Sequence, residues 1–180
     1  MANIQVLDQI TIDKIAAGEV IERPSSVVKE LVENAIDAGA TAVTVEIKEG
    51  GISLIRITDN GCGIPKAEVP LAFLRHSTSK IRSVDDLTTV ASLGFRGEAL
   101  ASVSAVSKVD LMTSTPDSSV GTRYVIEGGI EQLLDDAGSP VGTTIVVKDL
   151  PMKPIIPTEG KEFVKEVILT GANWSANLGN

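Results

Sequence analysis

Glu30-Leu31-Val32-Glu33-Asn34-Ala35-Ile36-Asp37-Ala38-Gly39 is the stretch on which the reading of this chain turns. Just upstream, Pro24-Ser25-Ser26 opens a helix, since a first turn has no use for the N–H that proline lacks. Val27, Val28, Leu31, Val32, Ala35 and Ile36 then recur at helical period and make one apolar stripe. Gly39 supplies a C-terminal stop. Glu30 and Asn34 stand at i and i+4, so they project from one face, with Asp37 three residues further on. A carboxylate there can take a proton from an attacking water. An amide oxygen one turn away is a neutral hard ligand for a Mg²⁺ held mainly by phosphates and waters. For such a pair taken alone, a solvated helix face carrying Glu30, Glu33 and Asp37 is the ordinary alternative.

Two further patches decide against that alternative. Asp59-Asn60-Gly61-Cys62-Gly63 follows a strand, and its glycines allow positive φ and close backbone approach. Asp59 can accept a hydrogen bond from an exocyclic amine such as that of adenine; by itself the segment is also a common Asx-Gly turn. Leu93-Gly94-Phe95-Arg96-Gly97-Glu98-Ala99-Leu100 sets a glycine-rich turn at a helix N-terminus, where free N–H groups and the helix dipole suit phosphate. Arg96 adds a permanent cation. No Gly-Lys-Ser/Thr follows, so this is no P-loop. Ser77-Thr78-Ser79-Lys80 offers hydroxyls and an ammonium for phosphate or ribose, and Gly142-Thr143-Thr144 is a weaker signal at the start of a late strand. Cys62 reads as a small packed residue, with no histidine near it in sequence, and His76 as structural or surface.

Outward from these patches, Thr11 to Gly18 reads as a helix with Ile12, Ile15 and Ala16 at i, i+3 and i+4. Ala42–Lys48 and Ile52–Thr58 alternate around Gly50-Gly51 as a β-hairpin with one packed face. A loop over 59–65, a short helix over 66–74 and another over 84–90 precede the helix that begins near Glu98. Strands follow at 108–113, 122–127, 130–134 and 143–148. This order predicts an α+β fold, a two-layer sandwich whose mostly antiparallel mixed sheet carries helices on one face. Residues 1–150 read as one domain and 151–180 as a divergent tail. In that tail Phe163, Val164, Val167 and Ile168 predict a helix over 159–169, with a frayed end beyond it.

The 180 residues suffice for one substantial core, and with 3% aromatics that core must be aliphatic. A net charge of −8 opposes a nucleic-acid backbone, so DNA should bind poorly to this chain alone at physiological salt. One cysteine and one histidine speak against a disulfide framework or a zinc site. The start shows no secretory pattern and no apolar run reaches membrane-spanning length, so a soluble, cytoplasmic protein is the default expectation.

Ile15-Ala16-Ala17-Gly18-Glu19-Val20-Ile21, Val28 to Ala40, Asp59 to Ile64, His76 to Ile81 and Gly94-Phe95-Arg96-Gly97-Glu98-Ala99-Leu100 together resemble the GHKL ATPases, and more closely the MutL mismatch-repair family. The last string sets it apart from gyrase, Hsp90 and histidine-kinase relatives. The resemblance runs from about Ile4 to Leu150. It implies a Bergerat ATP-binding fold with Mg²⁺-dependent hydrolysis of ATP. By matching position Glu30 would be the general base and Asn34 the Mg²⁺ ligand. Asp59 would bind the adenine amine, with Gly63 and Thr143 lining the base pocket. Thr78, Ser79, Lys80, Arg96, Gly97, Glu98, Ala99 and Leu100 would surround the phosphates.

The same resemblance implies an ATP-gated self-dimer that engages mismatch-recognition proteins, downstream repair proteins and DNA. Two departures stand out. After Asp149-Leu150 the family continues with a Phe-Tyr-Asn-x-Pro-Ala-Arg-Arg-Lys-Phe-Leu stretch, where this chain has Pro151-Met152-Lys153-Pro154-Ile155-Ile156-Pro157. The family's second domain, with its phosphate-contacting lysine, and its C-terminal dimerisation domain are not in this sequence. Two functions therefore compete: an ATPase domain, and a nucleotide-binding module with negligible turnover by itself. A bland α+β interaction domain fits the three patches poorly.

Overall fold

The computed structural model describes Asp8, Thr11, Ile12, Ile15, Ala17, residues 23–75 and 99–151, and the backbone of Glu162–Ile168. Among the described residues three α-helices, α1 (Pro24–Asp37), α2 (Val69–Ala72) and α3 (Ala99–Val106), accompany seven strands. The strands are β1 (Ala42–Lys48), β2 (Leu54–Asp59), β3 (Lys108–Ser114), β4 (Gly121–Glu127), β5 (Ile130–Ala137), β6 (Gly142–Lys148) and β7 (Glu162–Ile168). They form one sheet in the order β5-β4-β3-β6-β2-β1-β7. Every pairing among them is antiparallel, so the mixed character expected of the sheet is absent from the described strands. The α+β architecture is as read from the sequence.

Strand alternation sorts the side chains. Val43 and Val45, Ile55 and Ile57, Ile145 and Val147, Val109 and Leu111 share the buried face through matched register. α1 covers that face with Val27, Leu31 and Ala35, and α3 with Val103. Burying each of these Val, Leu and Ile side chains favours folding by roughly 1.5–3 kcal/mol before entropy is counted. The other face carries cross-strand ion pairs, Arg56 to Glu46 and Arg123 to Asp110, each at 2.6 Å. α1 ends as the sequence suggests. Gly39 sits at φ +74, its N–H donates to the Ile36 carbonyl, and the Ala40 N–H to that of Ala35, a Schellman closure.

Three expectations change. Residues 162–168, read from their apolar spacing as part of a helix over 159–169, form β7, pairing along β1 from Ala42 opposite Ile168 to Lys48 opposite Glu162. Phe163-Val164 and Val167-Ile168 suit either period, and the open edge of β1 offers backbone partners that a helix would leave unused. The helix expected over 66–74 is a 3-10 turn at Lys66–Glu68 followed by the single turn of α2, because Pro70 has no N–H to extend a longer ladder. Cys62, read as a small packed residue, is exposed; in the segment read as a helix over 11–18, Ile12 and Ile15 are exposed and Ala17 is buried. The helix expected over 84–90 lies outside the described residues, as does the chain beyond Ile168.

Candidate functional site

Asp59 closes β2, and the residues in register with it on the β6 side of the sheet are polar. The register runs Val43 on β1, Asp59 on β2, Thr143 on β6, Thr113 on β3 and Thr122 on β4, so the otherwise aliphatic face ends in a polar row. Asp59 Oδ1 accepts the Gly61 N–H at 2.8 Å and the Thr143 N–H at 3.3 Å. Burial pushes the Asp59 carboxyl above its ordinary value, and these two amides pull it only part of the way back. A partly desolvated carboxylate with one oxygen engaged by amides can take a donor on the other.

The loop beyond Asp59 is fastened to α1. Asn60 Oδ1 accepts the N–H groups of Thr41 and Ala42, each at 2.9 Å, and Asn60 Nδ2 donates to Thr41 Oγ1 at 2.8 Å. The Cys62 N–H donates to the Ala38 carbonyl at 2.9 Å, while Ala38 donates to the carbonyl of Asn34. Thus the helix carrying Glu30 and Asn34 and the loop carrying Asp59 meet at the C-terminus of α1. Gly63 at φ +68 lies so close to β3 that a Cβ would stand 2.1 Å from the Ser114 carbonyl oxygen. Gly142 at φ +118 packs as tightly on β2, its hypothetical Cβ 2.1 Å from the Asp59 oxygen. Both approaches require glycine.

Glu30 is partly exposed, its Oε1 3.7 Å from Lys29 Nζ, and Lys29 bonds more closely to Glu33 Oε1 at 3.1 Å. Glu33 before Glu30 holds the Lys29 ammonium above its ordinary value. Asn34 is half-buried one turn beyond Glu30. Ala99 and Leu100, half-buried, open α3, which packs on α1. Thr78, Ser79, Lys80, Arg96, Gly97 and Glu98 lie outside the described residues. The structure therefore brings Asp59, Gly63 and Thr143 together and joins them to the helix of Glu30 and Asn34.

Sequence reasoning missed three contributors. Asn60 was passed over beside Asp59 although its two-sided amide clamps the turn. Gly142 had only a weak mark in Gly142-Thr143-Thr144. Thr113 had none, because a threonine near a strand end is common and only the register reveals what it touches.

The raised Asp59 carboxyl has a measurable consequence. Protonation removes the acceptor that a ligand amine would need, so affinity for an aminopurine nucleotide such as ADP, if Asp59 holds its amine, should fall on acidification, beginning above the ordinary carboxylate range. Calorimetric titration from about pH 7 down to about pH 4.5 checks this. The protein's own stability runs the other way. A carboxyl whose folded value is raised favours the folded state at low pH, and that contribution is lost as pH climbs through the raised value.

A family model described as histidine kinase-, DNA gyrase B-, and HSP90-like ATPase matches residues 19–154. The DNA mismatch repair protein MutL of Agathobacter rectalis is 71% identical over 150 residues, covering 83% of this chain and 23% of that protein. MutL of Desulforudis audaxviator is 48% identical over 179 residues, 99% of this chain and 31% of that protein. That alignment extends past Leu150. Among solved structures, the Aquifex aeolicus MutL ATPase domain complexed with ADP superposes with a TM-score of 0.52 at 38% identity, covering 73% of this chain and 44% of that one. The N-terminal domain of a DNA repair protein gives a TM-score of 0.63 at 31% identity, covering 77% and 39%. The chain spans about a quarter to a third of the length of these two curated relatives.

Proposed function

The chain belongs to the histidine kinase-, DNA gyrase B- and HSP90-like ATPases, and on that premise we propose that it binds ATP as the ATPase unit of a MutL-like mismatch-repair protein. The observation that carries the proposal is Asp59, partly desolvated, with Oδ1 satisfied by Gly61 and Thr143. Its other oxygen takes the adenine amine, and Gly63 and Thr143 flank the base. Thr78, Ser79, Lys80 and the 96–100 segment hold the phosphates.

Mg²⁺ fits the donor set at Asn34. A single neutral amide oxygen suits a small hard ion whose other ligands are phosphate oxygens and water. When bound, that ion neutralises charge developing on the phosphates. Glu30, partly exposed on the same helix face, accepts the proton of the attacking water. Lys29, engaged more closely with Glu33 than with Glu30, leaves that carboxylate open to water. In a complete protein the unit works with a self-dimer, other repair proteins and DNA.

The test is calorimetry with Mg·ADP. Saturable heat is expected, and its absence refutes the nucleotide site. For the chemistry, single-turnover assays with protein in excess over labelled ATP resolve slow rates. Glu30→Ala should leave ADP affinity within about twofold and lower phosphate release by about a hundredfold or more. Unchanged release would remove Glu30 from the base role. A second reading is binding with little turnover by this chain alone; phosphate release at the no-protein rate with saturable ADP binding would select it.

A further inference from the structure

Thr113 is fully buried at the polar end of β3, and its hydroxyl is a three-way junction. It accepts the Ile64 N–H at 2.9 Å, donates to the Gly142 carbonyl at 3.0 Å, and lies 3.0 Å from Thr143 Oγ1. A hydroxyl has one proton and two lone pairs. The Gly142 carbonyl can only accept and the Ile64 amide can only donate. All three contacts are therefore filled in a single way: Thr113 gives its proton to Gly142 O, and Thr143 gives its own proton to Thr113. Thr143 is also fixed from its main chain, since its N–H donates to Asp59 Oδ1 at 3.3 Å.

We propose that Thr113 is a positioning residue for base selection: by taking the Thr143 proton, it leaves Thr143 only lone pairs to offer beside Asp59. The inference rests on the reading of Asp59 as the base-binding carboxylate. Two neighbouring acceptors welcome the exocyclic amine of a 6-aminopurine and oppose the carbonyl of a 6-oxopurine. Asp59 alone would reject much of the latter. A Thr143 hydroxyl free to rotate could donate to that carbonyl and soften the rejection, and the Thr113 junction removes this freedom. Unmade hydrogen bonds to desolvated polar groups are what make such discrimination large.

The probes are ADP and inosine diphosphate, which differ at the purine 6-position and in the N1 proton that follows from it. Calorimetry on the whole chain gives Kd for each, and the ratio of inosine diphosphate to ADP is the readout. Thr113→Val should lower that ratio about five- to tenfold. Thr113→Ser, which restores the hydroxyl, should return it to within about twofold of the parent. Thr113→Val strands the Ile64 amide and the Gly142 carbonyl and can cost the fold. Thr113→Cys, close in size with a weakly bonding thiol, therefore serves as the second variant and should lower the ratio by about threefold.

A purely structural Thr113 would weaken both nucleotides alike. An unchanged ratio in a folded Val or Cys variant overturns the proposal, as does a Ser variant that behaves like Val. Parent protein that binds neither nucleotide would refute the nucleotide site itself, a distinct outcome.

Discussion

Gly142→Ala is expected to remove a large part of the chain's stability. The glycine sits at φ +118, a left-handed conformation that side chains rarely adopt, and its Cβ would meet the Asp59 carbonyl oxygen at 2.1 Å and Asn60 Cα at 2.9 Å. Neither obstacle is the yielding end of a flexible side chain. Both belong to the backbone of β2 and the turn that follows it, in the middle of the sheet. Relief requires separating β6 from β2, which would break the register from Asp59–Thr143 to Leu54–Lys148. Strain at such a φ together with a backbone collision places the loss at roughly 3–5 kcal/mol. That is a large part of what a domain of this size usually has. Gly138→Ala is the control, because no atom stands within 4 Å of its hypothetical Cβ. Chemical denaturation followed by circular dichroism should show a large fall in midpoint for the first and almost none for the second. A stable Gly142→Ala protein would mean that β2 and β6 are further apart than described.

Asp59→Asn is expected to abolish nucleotide binding while sparing the fold. The two effects separate because the two carboxylate oxygens have different duties. Oδ1 receives the amides of Gly61 and Thr143, and an asparagine oxygen can receive both in the same place. The other position becomes an NH₂, which faces a ligand amine with donor against donor. Loss of a charge-assisted bond and creation of an unmatched pair together weaken ADP binding by about a hundredfold. Stability near neutral pH should hold or rise slightly, since burial had already made the ionised carboxyl costly. Melting curves and calorimetry on the same preparation test both halves. A variant that binds ADP normally would displace Asp59 from the base.

Much of this fold is readable in the sequence. The stripe from Val27 to Ile36 with Gly39 after it announces a helix and its closure, because propensity, period and cap agree there. Asp59 is readable as an acceptor only in company with the other patches, because a carboxylate followed by glycines is by itself a common turn. Residues 162–168 were misread for a physical reason: their apolar spacing satisfies both periods, and only the free edge of β1, a tertiary fact, decides between them. Thr113 was invisible for a related reason. Its importance lies in facing Thr143 across a strand pair 30 residues apart in sequence.

The amide of Cys62 on the carbonyl of Ala38, with Asn60 gripping Thr41 and Ala42, has one more consequence. The loop that would read the base is locked to the scaffold by main-chain bonds on one side and by Thr113 on the other. A ligand reaching it meets a preorganised surface and loses little affinity to ordering that surface. The loop proposed to read the base and the helix bearing Glu30 are consequently set in place together at folding, as one mechanical unit.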